Sequence, residues 1–303
     1  MNVVYSARYH IDIGPHVFPT EKYKLVHDRL IDGGVISPAD VVEPRAADWH
    51  ELALVHTEEY LAKMRDGSLS DEDIAELQLP WSAGMVEGFR LMTGGTIEAA
   101  RLACGTTASS FTVACHIGGG LHHAFANHGE GFCPFNDVAV AVRVLQANGL
   151  ERIAIVDLDV HHGNGTAFIF ERDPRVFTFS MHQQLNYPVF KPRGALDIGL
   201  PDRADDALFQ RELAGALPKV LASRPQCVFY LAGADPFEDD QLGGLRLTMD
   251  GLRLRDRAVI TAVATAGVPL IVVLAGGYAR RLEDTVAIHA ATIEEAARAA
   301  RRT

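Results

Sequence analysis

The sequence predicts an α/β protein: one central, mainly parallel sheet covered by helices on both faces, a three-layer αβα arrangement. Three observations predict it. Short Val/Ile/Ala-rich runs bounded by Gly, Asp or Pro alternate with helix-length amphipathic segments. The runs are apolar on both faces, as strands between two helix layers must be. The composition stays even over all 303 residues, with no repeat, low-complexity tract or linker, so a single domain over 1–303 is the simplest organisation.

The elements follow in chain order. A strand is expected at Val3–Tyr5 and a helix at about 22–32. The acidic, irregular segment "SLSDEDIAELQLPW" around Asp71 reads as a mobile surface loop at a site mouth. A helix over 86–103 leads to the strand Thr112–Cys115. From Asn136 to Ala147, Val138, Val142 and Leu145 share one stripe; Asn and Asp stand at the start and Gly149 beyond the end, which predicts a capped helix. Strands follow at Ile153–Leu158 and Val176–Ser180, a helix at 205–222, a strand at Val228–Leu231, a helix at 249–266, a strand at Leu270–Leu274 and a helix at 281–301.

Composition narrows the function. With 48% hydrophobic residues the chain can bury a large core. "MNVVYSARYHIDIG" breaks up too early with Arg8, His10 and Asp12 to read as a signal peptide, and runs such as "VPLIVVLAGGYA" fall short of the roughly 20 residues a membrane span needs. The four cysteines, Cys104, Cys115, Cys133 and Cys227, are scattered without CxxC spacing and read as reduced, mostly buried thiols of a cytoplasmic protein. A formal net charge of −11 argues against nucleic-acid binding and leans towards cationic substrates, although charge of this kind also serves solubility.

The chemistry concentrates at three strand ends. In "IVDLDVHHGNG", Asp157, Asp159, His161 and His162 stand where a buried strand calls for Val or Ile. Alternation puts Asp157, Asp159 and His161 on one face, with Leu158 and Val160 on the other. Carboxylates this close, with no Lys or Arg in the segment, repel unless a cation sits among them. Asp235, in "YLAGADPFEDDQLGG", is the expected third ligand. One His and two Asp with an open fourth position suit catalytic Zn²⁺, and Fe²⁺ also fits such donors. Asp239 and Asp240 read as solvated or turn-forming. In "HIGGGLHHAF", His122 and His123 follow Gly118-Gly119-Gly120; one of the two rings can exchange protons with a water and a leaving group. A phosphate-binding use of these glycines lacks a GxGxxG, a GK[ST] and a helix start. In "VVLAGGYA", Gly276 and Gly277 deliver Tyr278, whose hydroxyl can donate to an oxyanion.

Taken together the chain resembles the zinc-dependent histone deacetylase family of the arginase/deacetylase fold. The resemblance runs through "VVYSARY", "VHTEEYL", "GGGLHHA", "GFCPFND", "DLDVHHGNG", "AGADPFEDDQLGGL" and "AGGYA", so it covers nearly the whole chain. The short length and "LGGL" are most similar to the class IV branch and its bacterial relatives. The resemblance implies that Asp159, His161 and Asp235 hold zinc, that a metal-activated water attacks an amide carbonyl, that His122 and His123 form the histidine pair, and that Tyr278 polarises the carbonyl. It makes Asp157 the partner of His122, and puts Asn164 where some relatives have an Asp facing the second histidine. A carboxylate beside His122 favours its imidazolium, whereas an amide leaves His123 freer to lose its proton, so His123 is expected to be the principal base and then acid. Phe132, next to Gly131, matches the lining of an acyl-lysine channel, with Tyr187 as its other wall. A structural potassium ion is implied near Asp157, Asp159, His161, Ser180 and Met181.

The expected activity is removal of acyl groups from lysine side chains of proteins or peptides. Deacylation of small acetylated amines such as acetylpolyamines is the rival, and a non-catalytic acyl-lysine binder is disfavoured because no ligand, histidine or tyrosine is missing. An arginase-like two-metal site fails at Gly163, where its further Asp is required. Phe18 and Pro19 are candidates for shaping the inner end of the channel. The acyl preference, the physiological substrate and the oligomeric state are not encoded in any spacing.

Overall fold

Eight extended segments of this chain satisfy their backbone groups by pairing with one another in one sheet. The computed structural model describes residues 1–105 and 111–302. The strands are β1 (Asn2–Val4), β2 (Val41–Val42), β3 (Val113–His116), β4 (Ile153–Asp157), β5 (Val176–Gln183), β6 (Leu196–Leu200), β7 (Cys227–Leu231) and β8 (Leu270–Val273). Their order is β2-β1-β3-β8-β7-β4-β5-β6, with every pairing parallel. The helices are α1 (Lys22–Asp32), α2 (Trp49–Leu52), α3 (Glu58–Asp66), α4 (Asp71–Leu77), α5 (Ala83–Cys104), α6 (Asp137–Ala147), α7 (Asn164–Phe170), α8 (Asp206–Ala222), α9 (Met249–Thr265) and α10 (Leu282–Ala300). Helix α5 packs on α6, while α1, α10, α9 and α8 pack in succession. The fold is the expected three-layer αβα arrangement. Among the described residues no helix is long and apolar enough to cross a membrane, and all four cysteines are free.

The parallel order decides where chemistry can occur. β3, β8, β7 and β4 are consecutive neighbours, so the loops leaving their carboxyl ends open onto one side of the sheet. These are the loops that carry the histidine pair, Tyr278, Asp235 and Asp159. Their strands are buried at every residue.

Two expectations need correction, and two strands had no forecast. The segment around Asp71 is not a mobile loop: residues 71–77 form α4, whose start is fixed by a capping box in which Ser70 Oγ accepts from Asp73 N–H and Asp73 accepts from Ser70 N–H. Leu77 and Leu79 anchor it in the core, and Gln78 ends it in the left-handed region. Strand β4 stops at Asp157, so the alternation beyond it does not hold; residues 158–163 turn instead, with Asp157 Oδ1 accepting from Asp159 N–H and Asp159 Oδ1 from His161 N–H. The two strands without a forecast are the edge strands: β2 has only two residues, and β6 alternates partly covered and exposed residues before the buried Leu200 instead of being apolar on both faces.

A buried ion pair lies beneath the sheet's active side. Arg255 on α9 is fully buried; its guanidinium pairs with Asp256 at 2.8 Å, and Nη1 donates to the carbonyls of Leu158 and Gly233 at 3.3 and 2.6 Å. One side chain thus ties the loop after β4 to the loop after β7. Asp256 also accepts from Tyr230 and Thr292 hydroxyls, so the pair is hydrogen-bonded as a buried charge requires.

Two buried histidines bear on pH dependence. His56 accepts from Asn136 N–H, and His116 lies between the hydroxyls of Thr96 and Tyr9. Burial lowers their pKa values to about 4 and about 3. An unfolded chain takes up these protons near pH 6.5, so between pH 6.5 and about 4 it binds more protons than the folded one, and stability is lost as the pH is lowered. Urea unfolding of metal-free protein at pH 6.5 and 4.5 is expected to show this loss, at up to about 1.4 kcal/mol per pH unit per histidine. His56→Asn is expected to have the shallower dependence; an equal slope in the variant would mean that His56 is charged in the fold.

Candidate active site

Asp159, His161 and Asp235 converge. One ligand atom from each lies within 4.8 Å of the others, and all three residues are buried. His161 Nδ1 is 3.1 Å from Asp159 Oδ1 and 3.5 Å from Asp235 Oδ2. Each carboxylate is held by a backbone N–H: Gly276 donates to Asp159 Oδ2 at 2.8 Å, and Val160 to Asp235 Oδ1 at 2.9 Å. Asp235 Oδ2 has no hydrogen-bond partner. A Cβ at Gly276 would stand 1.9 Å from Asp235 Oδ2, and one at Gly233 would stand 2.7 Å from both carboxylates. Glycine is therefore required where two backbones approach the cluster.

The electrostatics ask for a cation. Burial and the Asp159 charge push the Asp235 carboxyl up to about 7. Burial opposes the charge on His161 too, but the two carboxylates outweigh it and hold that ring near 10. Asp235 and His161 thus hold protons that isolated groups would release, and a buried imidazole with two carboxylates, one oxygen unpartnered, fits a divalent metal of the Zn²⁺ or Fe²⁺ type. His162 does not join it. That ring turns towards the sheet edge, packs on His182 at 4.6 Å between centroids, and has Nε2 3.4 Å from Asp197.

The histidine pair sits beside this cluster with unlike environments. His122 Nδ1 is 2.7 Å from Asp157 Oδ2, His123 Nδ1 is 2.7 Å from Asn164 Oδ1, and the two Nε2 atoms are 3.2 Å apart. Burial disfavours charge on both. At His122 the carboxylates of Asp157 and Asp159 prevail and raise its pKa to about 9. At His123 burial and the neighbouring His122 charge act together and lower it well below the usual range. Gly163 leaves room for this arrangement, since a Cβ there would meet Asp157 Oδ2 at 2.5 Å.

Residues that the motifs did not announce hold these groups in place. Asp137, fully buried, accepts from Gly120 N–H, Leu121 N–H and the Thr96 hydroxyl, fixing the turn before the histidines. Asp240 Oδ2 accepts from Tyr278 N–H at 2.7 Å and Oδ1 from Leu242 and Gly243 N–H, so it is turn-forming but buried, not solvated. Asp239 lies outside and pairs with Arg280. Lys22, the first residue of α1, is fully buried, donates to Ala275 O at 3.1 Å and lies 5.5 Å from the Tyr278 ring centre. Burial draws its pKa down to about 8 against the pull of Asp235, Asp159 and Asp240. The only sequence signal for it was a lysine opening a helix.

A channel leads in from the surface. Its outer part, about 190 Å³, is lined by Gln78, Phe132, Tyr187, Leu242, Tyr278 and the rings of His123 and His161. Gly131 and Phe132 both have positive φ, and their N–H groups donate to the carbonyls of Glu76 and Leu77 in α4; this is how the supposed loop came to border the mouth. Tyr187 packs on His123 at 5.0 Å between centroids. The inner part, about 30 Å³, is bounded by Phe18, Tyr23, Phe132, His122, Tyr278 and Asp159, and Pro19 takes no part in it. Burial and the two carboxylates raise the Tyr278 phenol far above its ordinary pKa, which keeps it a donor. Of the residues matched to potassium, Asp157 and Ser180 are register partners on β4 and β5, Met181 follows in the core, and Ser180 Oγ is 3.0 Å from His182 Nδ1.

The chain is similar to known proteins in sequence and in fold. The sequence matches the histone deacetylase domain over residues 16–293. It is 44% identical to an uncharacterized protein of Picosynechococcus sp. over 95% of either chain. Against Histone deacetylase 2 of Arabidopsis thaliana it is 30% identical, over 94% of this chain and 78% of the relative. Its fold superposes on a crystallised HDAC homolog complexed with SAHA with a TM-score of 0.82 at 24% identity, covering 97% of this chain and 83% of that one. If Asp159, His161 and Asp235 hold the metal, Asp235→Ala is expected to release it while the chain stays folded. Metal content after gel filtration, alongside circular dichroism, checks this; full retention would remove Asp235 from the ligand set.

Proposed function

The chain belongs to the histone deacetylase family, and from that premise we propose that it is a metal-dependent amidohydrolase that removes short acyl groups from lysine side chains of proteins or peptides. The observation that carries the reading is the channel lined by Phe132 and Tyr187 that ends between His123, Tyr278 and the Asp159/His161/Asp235 cluster. A divalent cation held by Asp159, His161 and Asp235, zinc in this reading, would polarise the acyl carbonyl and lower the pKa of a water.

The chain's own groups do the rest. Phe132 and Tyr187 flank the aliphatic stem of the lysine and exclude water from it. His123, kept neutral by burial and by the charge on His122, takes a proton at Nε2 as the water attacks, and returns it to the amine nitrogen as the C–N bond breaks. His122, with Asp157 behind it, keeps its positive charge through the cycle. Tyr278 donates its hydroxyl proton as a hydrogen bond to the carbonyl oxygen while negative charge develops there. Asp240 fixes the backbone from which Tyr278 projects. The reading includes a structural potassium ion beside Asp157, with main-chain carbonyls near Ser180 and Met181.

The inner cavity bears on the acyl group. At about 30 Å³, bounded by Phe18 and Tyr23, it is small beside the outer 190 Å³, which favours an acetyl group over a long chain. The net charge of −11 favours approach of cationic, lysine-rich substrates. The test is acyl release by zinc-loaded protein from lysine peptides carrying acetyl to myristoyl chains, together with acetylated polyamines, read by mass spectrometry. Acetyl-lysine peptides are expected to turn over fastest, and Tyr278→Phe to keep its metal while kcat falls by roughly 10²–10³. Release from polyamines alone would move the substrate to small acylated amines, and myristoyl preference would overturn the short-acyl assignment.

A further inference from the structure

An asparagine beside a catalytic histidine leaves a question that an aspartate would not. A carboxylate can only accept, so it forces the facing imidazole nitrogen to carry a proton. An amide can present either its oxygen or its NH₂ group, and so permits either tautomer of the ring. Only one tautomer of His123 is useful as a base, the one with the proton on Nδ1 and the lone pair on Nε2, because Nε2 faces His122 and the reaction centre.

A proton on His122 Nε2, 3.2 Å away, already disfavours one on His123 Nε2, and a third residue acts on the opposite side of the ring. The carboxylate of Glu130 lies behind Asn164: Asn164 Nδ2 donates to Glu130 Oε1 at 2.8 Å, while Asn164 Oδ1 is 2.7 Å from His123 Nδ1. The same Oε1 accepts from the Tyr187 hydroxyl at 2.7 Å. The other oxygen, Oε2, lies 3.7 Å from His128 Nε2. Glu130 is mostly buried, and its backbone is fixed by reciprocal hydrogen bonds with Cys133. Burial disfavours its ionised form, but the nearby His128 ring and the hydrogen bonds from Tyr187 and Asn164 hold the carboxyl below the usual range.

We propose that Glu130 is a positioning residue that sets the tautomer of His123. Its carboxylate claims the Asn164 NH₂ group, which turns the Asn164 carbonyl oxygen to His123 Nδ1 and leaves the Nε2 lone pair free to take a proton. Through the same oxygen it anchors Tyr187, so the channel wall and the base share one support. The relay has one direction only while position 130 is a pure acceptor. Glutamine there keeps the size and can keep the Tyr187 contact, yet its own NH₂ can face Asn164 Oδ1, which reverses Asn164 and moves the ring proton to Nε2.

The consequence for turnover rests on the hydrolase reading above, but the tautomer does not, and the experiment separates the two. The zinc-loaded full chain, with ¹⁵N-labelled histidine, is measured by long-range ¹H–¹⁵N correlation, with His123→Ala identifying the signals. Wild type is expected to show His123 as the Nδ1–H form. Glu130→Gln is expected to populate the Nε2–H form and to lower kcat on an acetyl-lysine peptide about tenfold with KM little changed. Tyr187→Phe is expected to leave the His123 tautomer as in wild type, because Asn164 keeps its Glu130 contact. An unchanged tautomer in Glu130→Gln would overturn the proposal even if the peptide is hydrolysed. A shifted tautomer without hydrolysis of any peptide would leave it standing and sink the substrate assignment instead. Since the substitution is isosteric, loss of folding is not expected; Glu130→Asp, which keeps the charge, is expected to restore the Nδ1–H form.

Discussion

Two carboxylates buried against one imidazole are the constraint around which the active side of the molecule is organised. Asp159 and Asp235 would each be stable alone in water, but together in the interior they repel, and neither can be neutralised by a neighbouring side-chain cation without losing its free oxygen. The surroundings meet this with backbone groups. N–H donors from Val160 and Gly276 satisfy one oxygen of each acid, and glycine at 233 and 276 lets those backbones come close enough. The remaining charge is met by His161 and would be met by a cation held there.

The cations near the cluster stay one step back. Arg255 reaches only the carbonyls of the two ligand-bearing loops, through Leu158 and Gly233, and so fixes their separation without touching a ligand. Lys22 stops at Ala275 O, within reach of the Tyr278 ring. Removing one member of a buried pair such as Arg255–Asp256 costs about 3–5 kcal/mol in comparable cases, so the spacing of the ligands and the stability of the fold depend on the same contacts.

The histidine pair turns one local difference into a division of labour. Asp157 behind His122 is a carboxylate, Asn164 behind His123 is an amide, and both rings are buried. The result is a ring that keeps its proton next to one that yields it. The channel is built with comparable economy: the positive φ values at Gly131 and Phe132 let the chain dock on the end of α4 and present the Phe132 ring to the lumen.

What the sequence by itself determined was the fold class, most of the strands and helices, and the polar residues that the structure brings together at the carboxyl ends of the strands. Those are local properties. Apolar runs, caps and glycines act over a few residues, and carboxylates or paired histidines at a strand end have no core role that would hide them. Its local reading failed where a pattern was incomplete: the edge strand β6 lacks two apolar faces, and α4 is a short helix whose polar composition resembles a loop until Ser70 and Asp73 close a capping box. Only the tertiary structure decided that β3, β8, β7 and β4 are neighbours and that Pro19 takes no part in the inner cavity. It alone brought Asp137, Asp240, Arg255, Lys22 and Glu130 to the site. Each of these acts through a partner far away in the chain, such as Asn164 for Glu130 or Gly233 for Arg255. Sequence spacing carries no trace of such a pair, because the distance between its members is set by how the sheet stacks its strands.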